Sequence, residues 1–429
     1  MINIGLIGCG TVGSGVVKLL QKNSEVIAKR AGCRINIKKI AEIDAEKITN
    51  LALPEDIVTA DINEILNAPD IDIVVELIGG LEPAYNYIMT AMHQGKHVVT
   101  ANKDLIAVKS KEIFKLAADK NLDFCFEASV AGGIPVIYPL KHSLSANNIN
   151  AVIGILNGTT NYILTKMTDQ GQSLQEVLRE AQALGYAEAN PDADVAGLDA
   201  ARKIAILSSI AFNSSVSLDD VYVEGILDVT PSDIEHARAL GYVIKLLAIA
   251  EADERQQVQV RVHPAFIPKS HPIATVNDVY NAVFIHGDAV GDIMLYGRGA
   301  GQAPTASAVV GDIIEVARNT VQNVGRRVGC AFYGEKTVLN ISELSTQYYI
   351  RMKVQDKPGV LASIAGVFGA NRVSISTVLQ PVSYGEWAEL ILITHKVKEQ
   401  DLQESLLLLK DMSMVSAINS VIRVEGAEN

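Results

Sequence analysis

An aspartate and a lysine four residues apart form the most suggestive charged pair in the sequence. Asp199 and Lys203 lie in the run VAGLDAARKIAILSSIA, residues 195–211, which is predicted to be helical. A spacing of four puts both side chains on one helix face, and that face continues into apolar residues. A buried lysine loses its proton more readily and a neighbouring carboxylate opposes the change, so such a pair can act as an acid–base group. The alternative is an ordinary helix ion pair.

The N-terminus contains a second chemical signature. The apolar strand INIGLIG runs into a glycine turn followed by an apolar helical periodicity, and the turn consists of Gly8, Cys9, Gly10, Thr11, Val12 and Gly13. The first glycine permits a tight turn, the second lets the backbone approach a pyrophosphate, and the third lets helix and strand pack closely. The phosphates then lie at the positive end of the helix. This order of strand, Gly-X-Gly-X-X-Gly and helix predicts a dinucleotide site.

The end of the second predicted strand, RINIKKIAEID, bears on the choice between NAD and NADP. An acidic residue there binds the ribose 2′-hydroxyl of NAD, whereas a nearby basic residue accepts the 2′-phosphate of NADP. Glu42 and Asp44 favour NAD, while Lys47 and the two lysines before them keep NADP open. Both cofactors remain alternatives at this point.

Composition limits the class of protein. The 429 residues are 48% hydrophobic and 20% charged, which predicts two or three globular domains. A net charge of −12 without a basic cluster argues against a nucleic-acid partner. The first residues do not resemble a signal peptide and no apolar run reaches transmembrane length, so we expect a cytoplasmic protein without a membrane partner.

The cysteines and histidines give no metal signature. The cysteines lack Cys-X-X-Cys spacing and are expected to be reduced and structural: Cys9, Cys33, Cys125 and Cys330. The eight histidines form no His-Glu-X-X-His or comparable cluster, so a zinc site is not expected.

The first 130 residues alternate strand and helix signals, with strands near residues 2–7, 35–41, 72–78, 97–100 and 123–127. This pattern predicts an α/β fold with a doubly wound parallel sheet of the Rossmann type. Ligands of such sheets lie beyond the carboxyl ends of the strands. Thr100 and Lys103 follow one of these ends, so Lys103 is a candidate to reach the same crevice as Lys203. A solvated loop lysine is the alternative.

Residues 131–325 are predicted to form a second α+β domain for substrate binding, catalysis and dimerisation, whose last helix can return to the first domain. Strands are expected near 150–156 and 258–266, between long helices. The polar turn at residues 157–161 suits a polar substrate or caps the helix that follows. A loop rich in carboxylates, including Asp194, precedes the Asp199 helix, and a second glycine-rich turn, residues 296–301, precedes another helix and is expected to approach the cofactor through Gly301.

The C-terminus reads as a separate module. After a polar linker at 326–347, residues 348–426 follow the order strand, helix, strand, strand, helix, strand. This order is typical of a ferredoxin-like unit. The segment DKPGVL, beginning at Asp356, is similar to the signature of an ACT regulatory domain.

Taken together, the motifs resemble the homoserine dehydrogenase family in its single-activity form with a C-terminal ACT domain. The resemblance covers essentially the whole chain, and its motifs are GLIGCGTVGSGV, TANKDLIA, EASVAGGIPVI, ILNGTTNYIL, ALGYAEANPDADVAGLDAARKIAIL and YGRGAGQAPTASAVVGDI. A region resembling aspartate kinase is not present. The resemblance implies NAD(P)-linked, reversible interconversion of L-homoserine and L-aspartate 4-semialdehyde, on the route to threonine, isoleucine and methionine.

Residue roles follow from the same resemblance. Lys203 matches the proton donor and acceptor at the substrate oxygen, and Lys103 matches a lysine near the nicotinamide. The residues implied in substrate binding are Gly185, Glu188, Asp194 and Asp199. Thr11, Val12 and Gly13 match the phosphate turn. The resemblance also implies a loop that holds a monovalent cation, usually sodium, mostly through backbone carbonyls. The residues that match this loop are Glu127, Val130, Gly132 and Ile134.

The ACT resemblance implies threonine as a feedback effector and a homodimer or homotetramer as the assembly. The effector residues are expected to be Asp356, Gly359 and Asn371. The run Asn371-Arg372-Val373 has one residue more than the common ACT pattern, and a purely oligomerising ACT domain is the alternative. Two other functions remain open: a related amino-acid dehydrogenase with another substrate, and a dinucleotide-binding sensor without catalysis. Lys103, Glu188, Asp199 and Lys203 together argue against the sensor.

Overall fold

The computed structural model describes residues 1–51, 53–325, 334 and 336–426. Its contacts divide the chain into two compact units. Unit 1 comprises Met1–Leu156, Arg202–Val221 and Tyr280–Lys336, and unit 2 comprises Asn157–Ala201, Tyr222–Val279 and Thr337–Asn429. Cys330 and the predicted linker residues 326–333 and 335 lie outside the described residues.

Unit 1 is built around a six-stranded parallel sheet in the order β3-β2-β1-β4-β5-β6. Its strands are β1 (Ile2–Ile7), β2 (Ile35–Ala41), β3 (Val58–Thr59), β4 (Ile73–Glu76), β5 (His97–Thr100) and β6 (Phe124–Cys125). The helices that alternate with them are α1 (Thr11–Lys22), α2 (Ser24–Ala31), α3 (Asn63–Leu66), α4 (Ala84–His93) and α5 (Lys103–Lys120). The order reverses between β1 and β4, so a doubly wound Rossmann sheet is confirmed.

The core of this sheet is apolar on both faces because β1 and β4 are almost fully buried. A later helix, α11 (Gln302–Val321), belongs to the same core: Ala306, Val309 and Ile313 are buried in one cluster with β1 and α1. The last helix of the predicted second region therefore packs in the core of unit 1.

Unit 1 also contains a three-stranded antiparallel ladder in the order β12-β11-β7. Its strands are β7 (Ile149–Ile155), β11 (Tyr280–Gly287) and β12 (Gly291–Arg298). The sequence analysis expected a glycine-rich turn over residues 296–301, but Tyr296 to Arg298 complete β12 and only Gly299 to Gly301 form the turn. A π-helical turn spans Pro139–Ser143.

Unit 2 contains a mixed sheet in the order β9-β10-β17-β13-β15-β14, with β8 beside β10 and β16 beside β13. Its strands are β8 (Tyr222–Val223), β9 (Tyr242–Ala252), β10 (Val258–Pro268), β13 (Ser345–Gln355), β14 (Ile375–Tyr384), β15 (Trp387–Thr394), β16 (Val397–Lys398) and β17 (Val415–Val424). The helices are α6 (Gly158–Gln170), α7 (Leu174–Ala183), α8 (Asp192–Val195), α10 (Pro231–Ala239), α12 (Val360–Ala370) and α13 (Glu399–Lys410). The remaining helix, α9 (Leu198–Ala211), contributes residues to both units.

The C-terminal module has the predicted ferredoxin-like order and its own core, in which Ile350, Phe368 and Leu402 are fully buried. The module is also joined to the rest of unit 2. Its last strand pairs in parallel with β10, with Ala265 opposite Arg423. The described part of the predicted linker is also paired, because Val258 N donates to the Thr337 carbonyl at 2.9 Å. The module therefore completes the sheet of unit 2.

Candidate active site

The glycine turn of unit 1 has the geometry of an anion site. Gly8 follows β1 with φ +92°, and Gly10 precedes the first residue of α1. The first helical hydrogen bond runs from Ser14 N to the Gly10 carbonyl at 3.0 Å. The amides of Thr11, Val12 and Gly13 therefore precede the helical ladder and are oriented toward a ligand at the helix start.

An open cleft with a volume of about 450 Å³ lies beside this turn. It is lined by Gly8 and Gly10 of the turn and by Glu42 and Lys47. The other lining residues are mostly apolar and include Ala60, Ile62, Leu77, Ile78, Pro83 and Tyr87. The Glu42 carboxylate accepts hydrogen bonds from Cys9 N at 2.7 Å and from Asp44 N at 3.0 Å. Lys47 Nζ lies 3.9 Å from the same carboxylate. The cleft thus contains an acidic residue at the end of β2 and apolar residues that suit an adenine ring.

The second glycine turn packs against the first helix. Gly301 has φ +117° and precedes α11, and Gln302 Nε2 donates to Ser14 Oγ at 3.0 Å. A Cβ on Gly15 would lie 2.8 Å from the Gln302 carbonyl, so the two helices approach as closely as glycine allows. Gly301 therefore lies near the dinucleotide turn, as predicted.

A buried acid orders the loops after β4 and β5. Glu76 is 0% exposed and accepts hydrogen bonds from Ile78 N and Gly79 N, and from Thr100 Oγ1 at 2.6 Å. Asn102 caps α5 by accepting from Leu105 N, while its amide donates to the Gly80 carbonyl at 2.7 Å. The Thr100 hydroxyl is committed to this network, so a cofactor contact by Thr100 has to use its backbone. The network fixes the loop that leads into Lys103.

Both predicted lysines lie near one ion pair of unit 1. Lys103 is the first residue of α5, and its neighbour Asp104 contacts Arg202 at 3.0 Å between Oδ1 and Nε. Arg202 directly precedes Lys203, whose Nζ donates to the Leu156 carbonyl at 2.7 Å. The ion pair therefore brings the start of α5 to the helix that carries Lys203. The prediction that the two lysines share one region of the molecule agrees with this placement.

In unit 2, one amide holds two of the predicted carboxylates. Asn157 Nδ2 donates to Asp194 Oδ1 at 2.7 Å and to Asp199 Oδ2 at 3.0 Å. The Asn157 Oδ1 accepts from Thr160 N at 2.8 Å, so the residue also caps α6. Asp199 is buried. The polar turn at residues 157–161 thus caps α6, which is one of the two roles predicted for it, and it also supports the two carboxylates.

Gly185 and Glu188 lie in the loop between α7 and α8. Gly185 has φ +74° and Glu188 is exposed. Thr159 Oγ1 donates to the Tyr186 carbonyl at 2.7 Å, which attaches this loop to the turn that carries Asn157. Gly185 and Glu188 are therefore close in the fold to the Asp194 and Asp199 support.

Comparison with known proteins identifies the family. The chain matches the homoserine dehydrogenase NAD-binding domain over residues 8–127, the homoserine dehydrogenase domain over 135–314 and the ACT domain over 348–412. It is 43% identical to homoserine dehydrogenase of Bacillus subtilis, over 99% of this chain and 98% of the relative. The chain belongs to the homoserine dehydrogenase family. It is accordingly an NAD(P)-dependent oxidoreductase of amino-acid biosynthesis with an ACT domain.

Solved structures agree with this assignment. A homoserine dehydrogenase from Thiobacillus denitrificans superposes with a TM-score of 0.94 at 42% identity, covering 99% of this chain and 98% of the other. A hyperthermophilic archaeal homoserine dehydrogenase mutant, described in complex with NADPH, superposes with a TM-score of 0.64 at 27% identity and covers 75% of this chain and 98% of its own.

The loop that homoserine dehydrogenases are expected to use for a cation is tightly built. The Glu127 carboxylate accepts from the amides of Val136, Ile137 and Tyr138 at 2.6, 2.8 and 2.6 Å. Burial raises the pKa of Glu127, and these amides oppose the shift. Because its carboxylate oxygens serve the backbone, a cation at this loop has to be held by carbonyl groups. Among the described residues, no group of three or more His, Cys, Asp or Glu side chains is placed to hold a metal.

The remaining backbone of this loop fits such an ion. Val130, Gly132 and Ile134 are buried, yet no hydrogen bond to their carbonyl oxygens is found within the described parts of the chain. Gly132 has φ +53°, and a Cβ there would lie 2.3 Å from the Gly299 carbonyl oxygen. Buried carbonyl groups require partners, and a hard monovalent cation is one that suits oxygen ligands.

The predicted effector residues do not form one cluster within the chain. The Asp356 carboxylate accepts from Ser383 Oγ at 2.6 Å and from Gln380 Nε2 at 3.3 Å. Gly359, with φ +90°, directly precedes α12, whereas Asn371 directly follows it and donates its amide to the Val367 carbonyl. At the helical rise of 1.5 Å per residue, the twelve steps between the two span about 18 Å. The extra residue noted in the sequence, Arg372, has φ +63°, which accommodates the insertion.

The thiols and the helices add two simpler findings. Cys9, Cys33 and Cys125 are free cysteines, and burial, helped by Glu42, raises the pKa of Cys9 to about 11. In the part of the chain that the structure describes, no helix has the length and hydrophobicity needed to span a membrane.

Glu76 was not singled out from the sequence, and Asn157 was noted only as part of the polar turn at residues 157–161. A signal for Glu76 was present, because a lone acid ends the otherwise apolar strand IVVE. A buried charge at the carboxyl end of a Rossmann strand needs several hydrogen-bond donors. Asn157 opens the polar turn, but nothing local to the turn indicates its two carboxylate partners.

Proposed function

We propose that this homoserine dehydrogenase interconverts L-homoserine and L-aspartate 4-semialdehyde with Lys203 as its acid–base residue. The observation that carries the proposal is the Asp104–Arg202 ion pair, which sets the segments bearing Lys103 and Lys203 beside one another in the nucleotide-binding unit. The nicotinamide of the bound cofactor supplies the hydride for reduction and accepts it for oxidation.

Lys203 handles the proton in this scheme. Reduction of an aldehyde develops negative charge on the carbonyl oxygen, and an ammonium at that oxygen donates a proton as the charge develops. The Leu156 carbonyl accepts one hydrogen bond from Nζ and so limits the orientations of the ammonium. In the reverse direction the neutral amine takes the hydroxyl proton of homoserine. Lys103, presented by the Glu76 network, assists near the nicotinamide.

Carboxylates bind the amino-acid part of the substrate. Glu188 is exposed and suited to the substrate ammonium, while Asp194 and Asp199 share the Asn157 amide. The shared amide keeps both carboxylates in fixed positions before the substrate arrives, which reduces the entropic cost of binding. Gly185 lets the loop carrying Glu188 turn sharply after α7.

We further propose that NAD is preferred over NADP. Glu42 ends β2 with its carboxylate oriented by two amides, and the adjacent Ile43 is 89% exposed where a basic residue would contact a 2′-phosphate. Asp44 adds a second acid, 3.7 Å from Lys47, so the lysine faces two carboxylates. A ribose with free hydroxyls suits this environment better than a phosphate. NADPH is the alternative, since the archaeal relative is described in complex with it.

Three further properties belong to this proposal. Glu127, Val130, Gly132 and Ile134 bind a monovalent cation such as sodium through carbonyl oxygens, which fits the unbonded buried carbonyls of that loop. Threonine acts as a feedback effector of a homodimer or homotetramer in which paired ACT domains complete the effector site, since Gly359 and Asn371 lie too far apart within one chain. Participation in amino-acid biosynthesis supports a cytoplasmic location.

The test compares wild type with Lys203→Ala on L-homoserine, with either NAD or NADP, by following reduced nicotinamide. We expect kcat to fall by about 10²–10⁴-fold, with the Kd for NAD unchanged within twofold and wild-type kcat/KM higher for NAD. Lys109→Ala is the control, because Lys109 is a more exposed lysine that pairs with Glu112 on α5.

The outcomes separate the alternatives. Equal activity of Lys203→Ala and wild type contradicts the role of Lys203. Turnover of another amino-alcohol but not of homoserine favours a related dehydrogenase. Tight NAD binding without turnover of any such substrate favours a sensor.

A further inference from the structure

The last strand of the ACT domain ends in a buried arginine with partners in both halves of unit 2. Arg423 is 4% exposed. Its Nη1 donates to Glu224 Oε2 at 2.7 Å, while Nε and Nη2 donate to the two oxygens of Glu399, each at 3.0 Å. Glu399 begins α13 of the ACT domain and also accepts from Tyr348 OH at 2.6 Å. One guanidinium therefore connects the ACT domain with Glu224, which lies outside it.

Glu224 belongs to a short stretch, residues 222–226, that we name the 222–226 segment. Tyr222 and Val223 form β8 and pair with β10, and Glu224 N donates to the Val262 carbonyl at 2.8 Å. The Arg423 guanidinium also lies over the Tyr222 ring, 4.9 Å from its centroid. Both the charge and the ring of this segment are thus held by the C-terminal strand of the ACT domain.

The other end of the 222–226 segment contacts the backbone next to Asp194, one of the two carboxylates that the Asn157 amide holds. Ile226 N donates to the Val195 carbonyl at 2.8 Å. A Cβ on Gly225 would lie 2.2 Å from the same carbonyl oxygen and 2.6 Å from the Ala196 Cα, so no side chain fits between the two backbones. Val195 and Ala196 directly follow Asp194, and one residue, Gly197, separates them from the start of α9, which carries Asp199. A shift of the segment is therefore transmitted to this turn by backbone contact.

We propose that the 222–226 segment couples the ACT domain to substrate binding, with Glu224 as a positioning residue. Arg423 fixes Glu224, the segment fixes the Val195–Ala196 backbone, and that backbone sets Asp194 and Asp199 against the Asn157 amide. A change in the ACT domain that moves Arg423 then alters the affinity for substrate. This inference rests on the proposed substrate-binding role of Asp194 and Asp199.

Charge interactions hold the Arg423 guanidinium in place between Glu224 and Glu399. Arg423 keeps its charge, since carboxylates and Tyr222 raise its pKa against the effect of burial. A buried arginine deprived of one carboxylate is left with uncompensated charge and moves toward its remaining partner. Removing the charge of Glu224 therefore moves the Arg423 guanidinium toward Glu399. Removing the charge of Glu399 moves it toward Glu224. Coupling through such a contact requires that both ends be shown to influence one equilibrium.

The experiment measures KM and kcat of Glu224→Gln, Glu399→Gln and the double variant in the full-length enzyme with L-homoserine and NAD. Glu224→Gln is expected to raise KM for homoserine at least fivefold with kcat changed less than threefold and KM for NAD unchanged. Glu399→Gln, which lies in the ACT domain, is expected to raise the same KM at least twofold, and the double variant to raise it no more than Glu224→Gln alone. Gly225→Ala provides an independent variant and is expected to raise KM at least fivefold.

The control is Asp401→Asn, which removes a carboxylate from the same helix as Glu399, 3.1 Å from the exposed Arg372. It should leave the homoserine KM unchanged. Lower melting temperatures without a change in KM for Glu224→Gln and Gly225→Ala would show a purely structural role and overturn the proposal. If Glu224→Gln raises the KM for homoserine and Glu399→Gln does not, then the ACT domain does not act on substrate binding through Arg423, and the proposed coupling is overturned. Wild type inactive on homoserine would instead refute the proposed function and the coupling with it.

Discussion

Two glycines of the dinucleotide turn are predicted to fail in different ways when changed to alanine. A Cβ on Gly13 would lie 2.3 Å from the Gly8 carbonyl oxygen, whereas real Cβ atoms essentially never approach closer than 3.0 Å, so α1 has to move by at least about 0.7 Å. Such overpacking costs up to about 3 kcal/mol, and the better helix propensity of alanine returns about 1 kcal/mol. The net loss of about 2 kcal/mol corresponds to a fall in Tm of about 4–8 °C for a domain of this size.

Gly10→Ala is expected to spare the fold and impair the ligand. Nothing lies within 4 Å of a Cβ at Gly10, and its φ of −68° suits alanine. The open space is where a pyrophosphate approaches the backbone, so NAD binding should weaken at least tenfold. At an NAD concentration of about 100 times the wild-type Kd, the stabilisation by ligand then falls from about 2.7 to about 1.4 kcal/mol.

Thermal unfolding of both variants with and without NAD, together with titration of NAD, measures these effects. The explanation is refuted if Gly10→Ala lowers the ligand-free Tm as much as Gly13→Ala does, or if Gly10→Ala binds NAD with wild-type affinity.

The other predictions concern two basic side chains, Arg202 and Lys245. Reversing either charge of the Asp104–Arg202 pair, as Asp104→Arg or Arg202→Asp, should lower kcat about tenfold, because the segments of Lys103 and Lys203 then separate. The double variant, in which the two charges are exchanged, should recover most of the lost kcat. A double variant with a kcat no higher than that of the single variants would contradict this explanation. Burial lowers the pKa of Lys245 to about 8, against opposing carboxylates. Since the unfolded chain holds that proton up to about pH 10.4, the unfolded state binds more protons between pH 8 and 10.4, and the free energy of unfolding should gain up to ~3 kcal/mol as pH rises through this window. Urea unfolding at several pH values should show the gain in wild type and not in Lys245→Met.

The features that were predicted correctly depend on local sequence. The dinucleotide turn is recognisable because its three glycines satisfy constraints within six residues, and β1 reads as an apolar run buried on both faces. The α9 pair was also placed correctly: Asp199 is buried and Lys203 is half-buried on one helix. Helical spacing alone determines that arrangement.

The features that were missed depend on distant partners. The strands β9, β11 and β12 were not predicted. β9 has the sequence YVIKLLAIAEA, rich in leucine and alanine that also suit a helix, and its strand conformation comes from pairing along its whole length with β10. Parallel pairing of β10 with β17 joins residues more than 150 positions apart, and no local pattern announces it. Asn157 likewise acquires its role only when the fold brings Asp194 and Asp199 to it.

The pairing of β17 with β10 has an evolutionary consequence. A deletion that removed the ACT domain would expose the edge of β10 and leave Arg261 without Glu425 and Glu224 without Arg423. Exposed strand edges promote aggregation and unpaired buried charges destabilise. Regulation can therefore be lost by substitutions at the effector site long before the domain itself can be discarded. A retained ACT domain in such a chain is evidence of a sheet that needs completing, and a response to an effector has to be established separately.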